Sequence, residues 1–350
     1  MANKIKKYTP GFNIHDIKKK YNLKKVVKLA SNENPFISKD VMQFIKKSKH
    51  NLNLYPDSNP HNLHSEIAKI IRCGMKAQNI ILGNGSNEIL ELIVRSTIDY
   101  KSEVIIPKHS FLVYEIISKL QNAKLITSKP DTNKNGNNYL GVDLNSIYKK
   151  ITSNTKLIFI ANPANPTGTY ISLKYIDEFL KIIPKKISVI LDEAYYEYLD
   201  SSIEKSAISL VKKYKNLYVT RSFSKIYGLA SLRVGYGISN PENIEKLKLY
   251  KQPFSTNYFA QKAASIALKQ FKKAFEELSI NYLGTYCNFV TFRAGTHSSS
   301  LFDYLLTRGV IVRPLNNYKL PEYLRVSLGS SSDNKVFIKY LKEFYGNKTK

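Results

Sequence analysis

With 350 residues, 43% of them hydrophobic, the chain is long enough for one large core and a smaller second one, and no apolar run is long enough to cross a bilayer. Its two cysteines, Cys73 and Cys287, make no disulfide framework. The net charge of +27 suggests nucleic acid, yet it comes from 46 Lys spread along the chain and only 8 Arg, which predicts small anionic ligands and no nucleic-acid partner.

The N-terminal arm, "MANKIKKYTPGFNIHDIKKKYNLKK", is basic and lacks the apolar centre of a signal peptide, so a cytoplasmic location is expected. His61 and His64 have metal-like spacing but no further ligands nearby, and both read as surface residues with no metal site. Short β-rich runs then alternate with helical patterns. The strands are expected at 79–83, 102–107, 123–127, 156–161, 187–192 and 216–223, with helices at 86–100 and 173–183. Several runs are almost continuous Val, Ile and Leu, as expected of parallel strands covered on both faces. The fold class is therefore α/β: a large domain built on a mostly parallel open sheet covered by helices. The polar stretch 131–141 reads as a surface loop or hairpin turn. After Pro241 a long helical region leads to short strands at 287–293, 309–314 and 323–329, predicting a small α+β domain completed by the N-terminal arm. The expected division is 1–35 for the arm and part of the small domain, 36–240 for the large domain, and 241–350 for the small one.

In open α/β sheets, ligands bind beyond the carboxyl ends of the strands, and four motifs fall there. "ILGNGSNEILEL" (81–92) runs strand, glycine turn, helix, so the N–H groups of Ser86 and Asn87 can face an anion, although a helix cap explains the pattern equally well. "ANPANPTGTY" (161–170) holds the amide of Asn165 in a frame set by two Asn-Pro steps. "ISVILDEAYYEYLD" (187–200) puts Asp192 at the end of an apolar strand, where an acid needs a cation, a heteroaromatic nitrogen or a capping role. Tyr195 follows close behind. "RSFSKIYGLASLRVGYG" (221–237) surrounds Lys225 with Ser222, Ser224, Arg221 and Arg233; a desolvated lysine near other cations has a lowered pKa and becomes a nucleophile for carbonyls. Arg313 and Arg325, twelve positions apart, are the remaining informative arginines.

Together with "KLASNENPF" (28–36), "YPDSNP" (55–60), "GVIVRP" (309–314) and "LRVSLG" (324–329), these motifs resemble the pyridoxal-phosphate-dependent aminotransferases of the aspartate aminotransferase fold, and within them the histidinol-phosphate aminotransferase family. The resemblance spans nearly the whole chain. It implies pyridoxal 5'-phosphate as cofactor, bonded covalently to Lys225. It implies Asp192 at the pyridinium nitrogen, Asn165 and Tyr195 at the ring oxygen, and Phe111 stacked on the ring. Ser86, Asn87, Ser222, Ser224 and Arg233 would hold the cofactor phosphate, joined by Tyr55 from the other subunit of a homodimer. Arg325 would bind the carboxylate of glutamate or 2-oxoglutarate and, with Arg313, the phosphate of histidinol phosphate, while Asn32 closes over the substrate. The implied activity interconverts histidinol phosphate plus 2-oxoglutarate and imidazole acetol phosphate plus glutamate, in histidine biosynthesis. The alternatives are an aminotransferase for aromatic or acidic substrates, or a phospho-amino-acid decarboxylase, on the same fold. The run between Gln261 and Val290 is shorter than that family usually shows.

Overall fold

Residues 11–50, 52–71, 73–134, 136–199, 206–277 and 286–346 are described by the computed structural model. A seven-stranded sheet organises the large part of the molecule. Its strands are β2 (Ile80–Gly83), β3 (Glu103–Pro107), β4 (Lys124–Ser128), β5 (Thr155–Ala161), β6 (Ser188–Asp192), β7 (Leu217–Ser222) and β8 (Gly235–Ile238). They lie side by side in the order β2-β8-β7-β6-β5-β3-β4. All neighbouring pairs are parallel except those of β8, which runs antiparallel to both β7 and β2. Leu157, Ile158, Phe159 and Ile160 of β5 are all fully buried, because helices cover both faces and leave no side of the strand for polar residues.

The helices supply those covers. α4 (Ser86–Thr97), α5 (Leu112–Leu120) and α8 (Pro241–Lys248) pack on one face with Ile89, Leu90, Ile93, Tyr114, Ile117, Ile244 and Leu247 buried. On the other face lie α2 (Lys39–Lys47), α3 (His61–Ile71), α6 (Leu144–Tyr148), α7 (Leu173–Ile182) and the first half of α9 (Tyr258–Glu277). The alanines Ala260, Ala263, Ala264 and Ala267 recur at helical spacing and let α9 sit close against this core. Residues 241–267 therefore pack with the large sheet, and not with the C-terminal unit in which the sequence reading placed them. Residues 278–285, within the run 261–290 that the sequence reading took to be shortened, lie outside the described residues.

The C-terminal unit contains β9 (Phe289–Arg293), β10 (Val310–Ile311), β11 (Arg313–Pro314) and β12 (Tyr323–Ser327), with α10 (Ser298–Thr307) and α11 (Ser331–Gly346) packed against them. β12 lies between β11 and β9, antiparallel to both. The arm carries α1 (Ile14–Lys20) and β1 (Val27–Lys28), and β1 pairs in parallel with β10. The arm and the C-terminal strands thus share one unit. The segment 131–141 is a loop closed by a bridge between Pro130 and Val142.

His64 departs from its surface assignment. It is buried in α3 beside Leu63 and Ile67, and its Nδ1 lies 2.9 Å from the Pro60 carbonyl oxygen. The apolar stripe of the helix reaches one position further round than its polar composition suggests. Among the described residues no helix is long and apolar enough to cross a membrane, and no group of three or more His, Cys, Asp or Glu could hold a metal.

Candidate active site

The strand order reverses between β3 and β5, so their following loops part and open a crevice at the carboxyl edge of the sheet. A cavity of about 270 Å³ occupies it. Its walls include Asn32, Ser86, Asn87, Phe111, Asn165 and Asp192, and equally Tyr195, Ser222, Ser224, Lys225, Arg233, Arg313 and Arg325. Every site residue singled out in the sequence is there except Tyr55. That side chain is 81% exposed and stacks on Phe254, with ring centroids 4.6 Å apart.

Lys225 sits in the loop leaving β7, pinned by Phe223 and Tyr227, which are buried in the large core on either side of it. Its Nζ lies 3.4 Å from the Ser31 carbonyl oxygen. Burial lowers its pKa from 10.5 to about 8, and the Arg325 and Arg233 guanidinium groups push the same way, against Glu33 and Asp192. Of the two arginines that flank Lys225 in the sequence, Arg233 contributes and Arg221 does not, while Arg325 joins from the C-terminal unit. Arg221 turns away from the cavity and donates to Glu193 Oε2 through Nε and Nη2, at 3.0 and 2.8 Å, with Glu197 3.6 Å from its Nη1. Deleting Arg221 would strand two buried carboxylates, a loss of about 3–5 kcal/mol. Burial raises the Glu197 carboxyl to about 7, with Arg221 opposing.

Asp192 ends β6 on the cavity floor. Tyr114 donates to its Oδ2 at 2.6 Å, and Thr220 and the Ala194 amide donate to Oδ1 at 3.1 and 3.2 Å. Burial nevertheless raises its pKa above the ordinary carboxylate range, and among the described residues no cation forms an ion pair with it. Tyr114 and Thr220 were not foreseen in the sequence: only the packing of α5 and the pairing of β6 with β7 bring them to the acid. Tyr195 is buried and its hydroxyl accepts a hydrogen bond from Asn32 Nδ2 at 2.8 Å.

A cationic edge of the cavity is formed where α4 meets the loop after β7. Gly85, at φ 74°, lacks the side chain whose Cβ would strike the Arg233 guanidinium, so that group can lie across the helix start. Arg233 Nη1 reaches Ser224 Oγ at 3.4 Å. On the opposite wall, Arg313 and Arg325 are cross-strand partners in β11 and β12, only 8% and 4% exposed. Arg325 donates to Asn165 Oδ1 at 2.6 Å and to the Ala30 carbonyl at 3.0 Å, and its buried Nε has no hydrogen-bond partner. Like charges facing each other across a strand pair are unfavourable without an anion between them.

These residues fit pyridoxal phosphate. A buried acid without a cationic partner suits a ring nitrogen bearing a proton, the glycine-bared helix start with Arg233 suits a phosphate, and a lysine with a pKa near 8 suits an aldehyde. Lys225 is protonated below that value and reactive above it. The rate of cofactor attachment to the cofactor-free protein is therefore expected to rise about tenfold per pH unit up to roughly pH 8 and then level off. Stopped-flow absorbance measures this; a rate still climbing tenfold per unit at pH 10 would show an unperturbed lysine.

The sequence profile of the family Aminotransferase class I and II matches residues 24–273 and 267–341. Histidinol-phosphate aminotransferase 1 of Idiomarina loihiensis is 39% identical, over 99% of this chain and 96% of that protein. The crystal structure of histidinol-phosphate aminotransferase from Clostridium acetobutylicum superposes with a TM-score of 0.78 at 27% identity, covering 92% of this chain and 100% of that one. The structure of the enzyme from Sinorhizobium meliloti in complex with pyridoxal-5'-phosphate has a TM-score of 0.80 at 22% identity, covering 96% and 95%, and shares the fold. A sheet-edge cavity with its lysine, its floor carboxylate and a match running through both units lead to one conclusion: the chain belongs to the class I and II aminotransferases.

Proposed function

We propose that the chain is a pyridoxal-phosphate-dependent aminotransferase that moves the amino group of histidinol phosphate to 2-oxoglutarate, giving imidazole acetol phosphate and glutamate in histidine biosynthesis. The observation carrying this reading is the buried Arg313–Arg325 pair on the wall of the cavity that holds Lys225. One pair of guanidinium groups can take the phosphate of one substrate and a carboxylate of the other.

The residues divide the work. When bound, the cofactor supplies a sink for the negative charge that develops at the substrate's α-carbon. Lys225 would hold it through Nζ, and the same amine, once displaced by the substrate's, would move the proton at the substrate's α-carbon. Asp192 keeps a proton on the ring nitrogen, aided by Tyr114 and Thr220. Asn165 and Tyr195 address the ring oxygen and Phe111 the ring face. Ser86, Asn87, Ser222, Ser224 and Arg233 hold the phosphate, and Asn32 shields the substrate from the arm side.

A homodimer with Tyr55 reaching the partner's cofactor phosphate belongs to the same reading. Its support is the exposed apolar surface around that residue, where Leu52, Leu54 and Tyr55 are all exposed beside Phe254. A cytoplasmic location and a boundary between large and small domains after α9 complete the proposal. Pro241 remains the place where the sequence pattern changes.

The test is direct. Purified protein with pyridoxal phosphate, histidinol phosphate and 2-oxoglutarate is expected to yield glutamate and no carbon dioxide. Release of carbon dioxide from a phosphorylated amino acid, without glutamate formation, would establish the decarboxylase instead.

A further inference from the structure

The cavity sorts its charges. Lys225, Arg233, Arg313 and Arg325 line it against two carboxylates, Asp192 and Glu33. Asp192 is engaged at the floor by Tyr114, Thr220 and the Ala194 amide. Glu33 stands apart. It comes from the arm just after β1, with its side chain 43% exposed and paired with Lys28 at 2.7 Å.

Its neighbours hold it in place. Asn32, at φ 52°, donates from its backbone to Ser327 Oγ at 2.7 Å and from its side chain to Tyr195 at 2.8 Å, while Asn288 donates to its carbonyl at 3.0 Å. On the other side Asn34 Nδ2 donates to the carbonyl of Ile226, the residue after Lys225, at 2.7 Å. A non-glycine residue at positive φ is a small strain that the surrounding bonds must maintain. The frame fixes a carboxylate between two asparagines, one tied to Tyr195 and the other to the Lys225 loop. Glu33 is also near enough to Lys225 to oppose the lowering of its pKa.

We propose that Glu33 is a specificity residue for the amine substrate, its carboxylate accepting a hydrogen bond from the ring N–H of an imidazole whose phosphate lies on the Arg313–Arg325 pair. The inference rests on the substrate reading above and adds a residue to it. An ionised carboxylate only accepts, so it needs a donor from the substrate. The substrate's amino group would be occupied at the cofactor carbonyl, from which it displaces Lys225, and the alcohol phosphate is anionic, which leaves the imidazole N–H. Lys28 is the resting partner: a half-exposed ion pair is weak and readily exchanged. Glutamate brings no such donor, and its distal carboxylate would be repelled by Glu33. One residue would thus favour one of two substrates sharing a cavity.

The experiment measures the two half-reactions separately on holoenzyme, following the cofactor's absorbance with histidinol phosphate or with glutamate. Glu33→Ala is expected to lower kcat/KM for histidinol phosphate by about 10- to 50-fold, mostly through KM, and to leave glutamate within about twofold. Glu33→Gln keeps an acceptor oxygen and is expected to lose only about three- to fivefold. Lys28→Ala frees the carboxylate and is expected to leave histidinol phosphate unchanged or improved. Equal losses in both half-reactions, or a Lys28→Ala loss matching that of Glu33→Ala, would reduce Glu33 to a brace for the arm and overturn the proposal. Wild-type enzyme that reacts with glutamate but not with histidinol phosphate would instead sink the substrate reading, and this role with it.

Discussion

Lys225→Ala is expected to lower kcat/KM for transamination by about 10⁴-fold and to abolish the near-visible absorbance of covalently held cofactor. Among the described residues no other amine lines the cavity, whose remaining basic side chains are the guanidinium groups of Arg233, Arg313 and Arg325. Nor should the loss reflect unfolding. The side chain sits where burial disfavours its charge, and its polar contact is a 3.4 Å approach to the Ser31 carbonyl oxygen. The melting temperature of the cofactor-free variant is therefore expected within about 4 °C of wild type. Kinetics, an absorbance spectrum and thermal melts on the same sample check all three. Activity within tenfold of wild type would place the chemistry on another residue.

Asp192→Asn is expected to lower kcat by about 10²- to 10³-fold at saturating cofactor. The amide matches the carboxylate in shape and can still accept from Thr220, so the change removes charge and little else. Burial that raises the Asp192 pKa in the protein alone becomes an advantage once a protonated ring nitrogen faces it, because the attraction is poorly screened there. Each tenfold loss corresponds to about 1.4 kcal/mol of transition-state stabilisation. Steady-state rates across a range of pyridoxal phosphate concentrations separate weakened binding from slowed chemistry. A loss below tenfold would leave Asp192 as a helix-cap-like residue with no electrostatic part in the reaction.

Much of this arrangement was legible in the residues themselves. The strands β3, β5 and β6 carry near-continuous apolar runs, as doubly covered parallel strands require, and polar residues come at the sheet edge: Lys108 after β3, Asn162 after β5 and Asp192 at the end of β6. Lys225 stood out because it lies in a small-residue run, unlike the many lysines on solvated faces. What stayed hidden depends on the tertiary structure. Tyr114 is one aromatic among many until the packing of α5 sets it 2.6 Å from Asp192. Arg221 looked like a neighbour of Lys225, but successive strand residues point to opposite faces, and it meets Glu193 instead. The helical pattern after Pro241 predicts α8 and α9 correctly, yet amphipathicity states only that a face is buried, and says nothing of which core buries it. The antiparallel β8 was missed because "GYGI" is too short and glycine-rich to register as a strand.

The Asn32–Ser327 bond, which joins positions 295 apart, bears on how the protein is made. The arm is synthesised well before β12, so the cavity lacks the wall that β12 carries until that strand has emerged. Nascent chains halted after α9 could already hold their central sheet and the lysine, but would present that lysine on an open ledge. Closure of the cavity therefore waits on the later of two segments that lie far apart in the chain.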